Sequence, residues 1–103
     1  MTRSSHIDEV LASVRNPQES ERFMQARQVL QKHLVHTREI PNGKDFVFSG
    51  PAEVVHQALR DLLSIEHQVG RFLLFDYARV DEFYLLRIVG TESYEEAIDS
   101  YFL

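Results

Sequence analysis

The last two thirds of this chain read as one unit written twice, a hairpin followed by a helix over residues 37–70 and again over residues 71–103. Each unit passes from strand to helix at a glycine, Gly50 and Gly90, and the helices that follow carry the similar pairs Ala58-Leu59 and Ala97-Ile98. A duplicated hairpin–helix unit specifies an antiparallel sheet with helices laid on it. The expected class is α+β: two N-terminal helices within residues 1–35, then the two hairpin–helix units at 36–70 and 71–103, forming a four-stranded antiparallel sheet with packed helices. At 103 residues and 44% hydrophobic, the chain has material for one core, so a single domain over residues 1–103 is expected. Two arrangements of the hairpins stay open, side by side with pseudo-twofold symmetry or curled into a half-barrel.

The N-terminal third has helical spacing. Ser5 with Asp8 forms a capping-box pattern, and Ile7, Val10, Leu11 and Val14 then share one helical face. Asn16-Pro17 closes that helix and opens the next. Asn16 is an acceptor for freed amides, Pro17 suits a first turn, and Glu19 complements the positive end of the helix dipole. Phe23, Ala26, Leu30 and Leu34 form the apolar stripe of the second helix.

Pro41-Asn42-Gly43 is the strongest turn signal and joins strands at 37–40 and 44–49, with Phe46 and Phe48 toward the core. Gly50-Pro51 ends the second strand. Val55, Ala58, Leu59, Leu62, Ile65 and Val69 then repeat at helical spacing, which makes this the central packing helix. In the second hairpin, a turn at Asp81-Glu82 sets Asp76 against Arg87, Leu74 against Val89, Ala78 against Leu85 and Val80 against Phe83. The opposite face then pairs Leu73 with Gly90, Phe75 with Ile88, Tyr77 with Leu86 and Arg79 with Tyr84. Both faces of this hairpin are largely apolar, whereas a sheet with one solvated face alternates. Something must cover the second face, either the N-terminal helices or a second copy of the chain.

Composition removes several classes of function. The chain has no cysteine, so disulfides, thiolate nucleophiles and cysteine-based metal sites are absent. A net charge of −5 argues against a nucleic-acid partner. No apolar run approaches membrane-spanning length and no export signal follows Met1, which favours a cytoplasmic location without membrane association. His33 and His36 stand three residues apart, but a strand pattern begins at Val35. His56 and His67 stand about 16 Å apart along one helix, too far to share an ion. Solvated or hydrogen-bonded histidines are therefore expected, with no metal and no cofactor. Glu66, Asp76 and Arg87 are the acid–base candidates, yet Asp76 has Arg87 as a cross-strand partner and no nucleophile, phosphate loop or HExxH pattern accompanies them, so no catalytic residue is assigned.

Two segments carry a resemblance. Arg38-Glu39-Ile40-Pro41-Asn42-Gly43-Lys44-Asp45-Phe46-Val47-Phe48 and Glu66-His67-Gln68-Val69-Gly70-Arg71-Phe72-Leu73-Leu74-Phe75 resemble a group of small uncharacterised bacterial proteins over about residues 25–103. Those proteins read Arg-Glu-Leu-Pro-Asp-Gly-x-x-Phe-x-Phe and Glu-x-x-Cys-Cys-x-Phe-Leu-x-Phe. Val69 and Gly70 stand where the paired cysteines would be, so no thiol or soft-metal role carries over. The resemblance implies a scaffold and no activity.

The leading functional expectation is a non-catalytic protein-interaction or regulatory module, a homodimer that also has room for a protein partner. Its ligand or interface candidates are Phe75, Asp76, Tyr77, Tyr84, Arg87, Tyr101 and Phe102. Tyr101-Phe102-Leu103 is costly to leave in water, so it either docks on the sheet or inserts into a partner. The alternative is a small-ligand binder with an apolar pocket between sheet and helices. A third reading is a metal-dependent enzyme or metal accessory protein.

Overall fold

The computed structural model describes residues 6–69, 73–90 and 95–103. Its elements run α1 (His6–Ser13), α2 (Pro17–His33), β1 (Leu34–Ile40), β2 (Gly43–Ser49), α3 (Ala52–Val69), β3 (Leu74–Val80), β4 (Phe83–Val89) and α4 (Glu95–Asp99). The fold is α+β, with helices packed on a four-stranded antiparallel sheet of order β1-β2-β4-β3. That order is the side-by-side arrangement. Exchanging one hairpin for the other reverses the strand order onto itself, so the two hairpins are related by a pseudo-twofold normal to the sheet between β2 and β4.

Local chemistry sets the helix ends. The Asn16 side chain accepts from the Gln18 N–H at 2.9 Å, with Pro17 opening α2. The capping pair expected at Ser5 lies outside the described residues. α2 stops at His33, two residues earlier than the reading of 1–35, and β1 starts at Leu34 instead of Thr37. The β-branched Val35 and Thr37 favour extended backbone there. The His33 ring also donates through Nδ1 to the Ser49 carbonyl at 3.0 Å, which ties the end of α2 to the end of β2. Gly50 makes room for that ring, because a Cβ there would meet His33 Nδ1 at 2.6 Å.

One core lies between the sheet and the helices. α2 contributes Phe23, Ala26 and Leu30; α3 contributes Val55, Ala58, Leu59, Leu62, Leu63 and Ile65; Phe46, Phe48, Tyr84, Leu86 and Ile88 complete it from the sheet. Phe23, Ala26 and Leu30 of the expected α2 stripe and Val55, Ala58, Leu59, Leu62 and Ile65 of the expected α3 stripe are in the core, whereas Leu34, expected to continue the α2 stripe, opens β1. Helix α4 is tied to β2 by Lys44 and Asp99, 3.1 Å apart. Beyond α4 the chain folds back into the core, where Tyr101 is fully buried and Phe102 nearly so. The Phe102 ring meets Phe46 and Phe48 edge-on at 4.9 and 5.4 Å, and Tyr101 packs on Phe75 at 5.9 Å. Burying two such side chains is worth about 1.5–3 kcal/mol each. Arg27 and Gln31 on α2 fix the segment by donating to the Tyr101 and Phe102 carbonyls, each at 2.7 Å. Of the two fates expected for Tyr101-Phe102-Leu103, docking holds for Tyr101 and Phe102, while Leu103 is 87% exposed.

The register of the second hairpin agrees with the sequence pairing from Leu74–Val89 to Val80–Phe83. Its turn sits at Asp81-Glu82, with Asp81 at φ 58°. In the first hairpin Asn42 takes φ 61°, a left-handed conformation that asparagine tolerates better than most residues.

Candidate functional site

The helices cover one face of the sheet. α2, α3, α4 and the final segment all contribute to the single core on the side of Phe46, Phe48, Tyr84, Leu86 and Ile88. The N-terminal helices therefore do not supply the second cover that the two apolar faces call for. Among the described residues, nothing lies over the other face.

Strand pairing arranges that open face in cross-strand rows, because alternate residues of paired strands point the same way. The first row holds Ile40, Gly43, Val89 and Leu74 on β1, β2, β4 and β3 in turn. The second holds Arg38, Asp45, Arg87 and Asp76. His36, Val47, Leu85 and Ala78 form the third, and Ser49, Phe83 and Val80 the fourth. Leu74, Val80 and Phe83 are exposed, at 72%, 52% and 37%. These are large apolar side chains left open to water on one surface of the sheet.

The charged row alternates in sign across the whole sheet, with Asp45 as its anchor. Arg87 donates to Asp45 in a fork, Nε to Oδ1 at 2.7 Å and Nη2 to Oδ2 at 3.0 Å, and Arg38 Nη2 donates to Oδ2 at 3.0 Å. Asp45 is only 1% exposed although no helix covers it. The two guanidinium groups themselves shield it from water, while their own side chains stay 44% and 64% exposed. The Arg87 hydrogen bonds hold the Asp45 carboxyl below its ordinary 3.8, with burial opposing and Arg38 assisting. Asp76 stands opposite Arg87, as the sequence register required. The expected Asp76–Arg87 ion pair is corrected in one respect: Arg87 gives its fork to Asp45, on its other neighbouring strand, and Asp76 adds attraction at longer range.

The candidate residues thus divide between the faces. Arg87 and Asp76 lie in the charged row of the open face. Phe75, Tyr77 and Tyr84 lie on the helix-covered face, where Tyr84 is buried and Tyr77 is 37% exposed at its margin. His56 packs against both tyrosine rings, at 6.0 Å from Tyr77 and 6.3 Å from Tyr84, and Arg79 stacks over Tyr84 at 5.7 Å. Tyr101 and Phe102 belong to the core and present no contact surface. Arg38 and Asp45 were not among the sequence candidates. The Pro41-Asn42 turn sets Arg38 opposite Asp45, so half of that row was readable; the junction of β2 with β4 supplies the rest.

A second polar group is enclosed. Glu66 on α3 is fully buried, the Tyr101 hydroxyl donates to its Oε2, and His6 Nε2 lies 2.9 and 3.0 Å from its two oxygens. Burial pushes the Tyr101 hydroxyl well above its ordinary 10.0, and the Glu66 charge adds to the rise. This cluster joins α1, α3 and the final segment. Its members point at one another instead of into a cavity.

The space between sheet and N-terminal helices, where a ligand pocket was expected, holds Phe23, Leu30, Tyr101 and Phe102. A cleft of about 210 Å³ lies elsewhere, between the first turn and α4, lined by Glu39, Ile40, Asn42, Gly43, Glu95, Ile98 and Asp99. Among the described residues no cluster of histidine and carboxylate side chains has the geometry to hold a metal ion, and no helix is long and apolar enough to cross a membrane. The fold and its exposed face define a helix-backed antiparallel sheet open on one side. Neither a family model, nor a curated protein, nor a solved structure matches the chain.

Proposed function

We propose that this chain is a non-catalytic protein-interaction module that assembles as a homodimer through the open face of its sheet. The observation that carries the reading is the helix-free surface itself, in which Leu74, Val80 and Phe83 are exposed beside the half-buried Val47, Leu85 and Val89. Leaving such a face in water forfeits roughly 25 cal/mol for each Å² of apolar surface that a partner would cover. Glu66 and Tyr101 are both 0% exposed and already committed to each other, which supports a structural role for that buried polar cluster.

Sedimentation velocity from low to high micromolar concentration tests the proposal, on wild type and on Leu85→Lys. Wild type is expected to pass from monomer to dimer, and Leu85→Lys to stay monomeric with a nearly unchanged melting temperature. A wild type that is monomeric throughout overturns the reading.

A further inference from the structure

The charged row on the open face is antisymmetric, reading plus, minus, plus, minus from β1 to β3 through Arg38, Asp45, Arg87 and Asp76. It carries no net charge. We infer that the occupant of this face is a second copy of the chain, packed sheet to sheet about a twofold axis parallel to the strands and passing between β2 and β4. The inference rests on the homodimer reading above and adds to it the symmetry axis and the residue-to-residue register.

The argument follows from what each possible axis does to the row. Two sheets packed face to face as a closed dimer are related by a twofold lying in the plane between them. An axis parallel to the strands reverses the strand order and keeps the level along the strands. It sets Arg38 against Asp76 of the second copy and Asp45 against its Arg87, so all four contacts are of opposite sign. Val47 then meets Leu85 of the second copy, and Ile40 meets Leu74. An axis along the charged row instead sets each strand on its own counterpart, which brings Arg38 onto Arg38 and Asp76 onto Asp76. Moving that axis to the row of Val47 and Leu85 presses Asp45, Arg87 and Asp76 against Ser49, Phe83 and Val80 of the second copy, which costs desolvation without pairing.

The row is built to form the first set of contacts. Asp45 is satisfied within the chain by its two arginines. Arg38 keeps 64% of its side chain exposed and donates only Nη2 to Asp45, and Asp76 is exposed at the far edge. Those two residues are therefore positioned to meet across the twofold. Strands about 4.8 Å apart, each seven residues long at about 3.3 Å per residue, give a face of roughly 19 by 23 Å. Such a face is at the small end of specific interfaces, consistent with micromolar association in which electrostatic register decides orientation.

Charge reversal and mixing test the geometry. Arg38→Glu alone and Asp76→Arg alone each turn two symmetry-related contacts from attraction to repulsion, and each is expected to weaken self-association by about tenfold or more at low ionic strength. Mixed in equal amounts, the two variants restore opposite charges at both contacts, and the heterodimer is expected to recover to within about threefold of wild type. A misfolded variant would give no such rescue. Single variants that associate as well as wild type, or a mixture no stronger than its components, overturn the twofold proposed here while leaving a dimer in place. A monomeric wild type overturns the interaction reading itself.

Discussion

Asp45 and Arg87 stand directly opposite each other on β2 and β4, and the arginine closes a two-pronged hydrogen bond on the carboxylate at 2.7 and 3.0 Å. The pair joins the two hairpins across the central strand junction, so it bears on the fold as well as on the open face. Bidentate geometry of this kind is the strong form of a charged hydrogen bond. With both arginines part-exposed, solvent screening discounts it.

Asp45→Asn is expected to destabilise the chain by about 1 kcal/mol at neutral pH, less than a fully enclosed charged hydrogen bond because the arginines are part-exposed. Because folding lowers the Asp45 pKa below 3.8, its contribution is fully present above that value and is lost as pH falls through the lowered folded value. Urea unfolding of wild type and variant should therefore show a gap at neutral pH that closes as pH falls below 3.8. A gap independent of pH would assign the effect to shape instead of charge.

Tyr101→Phe removes the hydroxyl that donates to the buried Glu66, and the expected cost is about 1–3 kcal/mol for the acceptor left short of a partner. The pH dependence runs the other way. A folded-state pKa raised above 10.0 keeps the proton on, so the stabilisation is complete below 10.0 and declines as pH rises toward the folded value. Between about pH 9 and pH 11, stability should fall more steeply in wild type than in Tyr101→Phe. Parallel curves would remove the buried hydroxyl from the explanation.

What the sequence disclosed and what it hid divide along contact distance. The Asp81-Glu82 turn and the Asp76–Arg87 opposition are local pairings, so turn chemistry and alternation suffice to read the whole second hairpin. The stripes of Phe23, Ala26 and Leu30 and of Val55, Leu59 and Leu62 are likewise local periodicities. Strand order is not local. The Asp45–Arg87 bond spans 42 residues and requires β2 to meet β4, which no spacing within either hairpin specifies. His6 and Tyr101 reach Glu66 from 60 and 35 residues away, so the enclosed polar cluster has no signature in any window of sequence. Val35 shows a smaller limit of the same kind. The bulge between Leu34 and His36 shifts β1 by one residue against β2, which is what brings Leu34 and His36 to opposite faces at their observed register.

Gly43→Ala probes how closely the hairpins meet. A Cβ at Gly43 would stand 2.2 Å from the Ile88 carbonyl oxygen and 3.0 Å from Val89 Cα, both backbone atoms that no side-chain rotation relieves. The expected loss is about 1–3 kcal/mol from overpacking. Amide exchange should accelerate across the β2–β4 ladder more than across β1–β2. Uniform acceleration would mean global destabilisation with no local opening.

Phe102→Asp separates a core role for the final segment from an interface role. Phe102 is 6% exposed, edge-on to Phe46 and Phe48 and beside Tyr101, and its carbonyl is held by Gln31. Truncation of such a phenylalanine costs about 3–5 kcal/mol, and a carboxylate adds desolvation to that loss. The variant is therefore expected to lower the melting temperature sharply and to bind a dye specific for exposed apolar surface. Leu85→Lys, on the open face, should leave melting nearly intact and act only on self-association. If Phe102→Asp instead kept the wild-type melting temperature and lost only dimer, the segment would lie in the interface and the open sheet face would not.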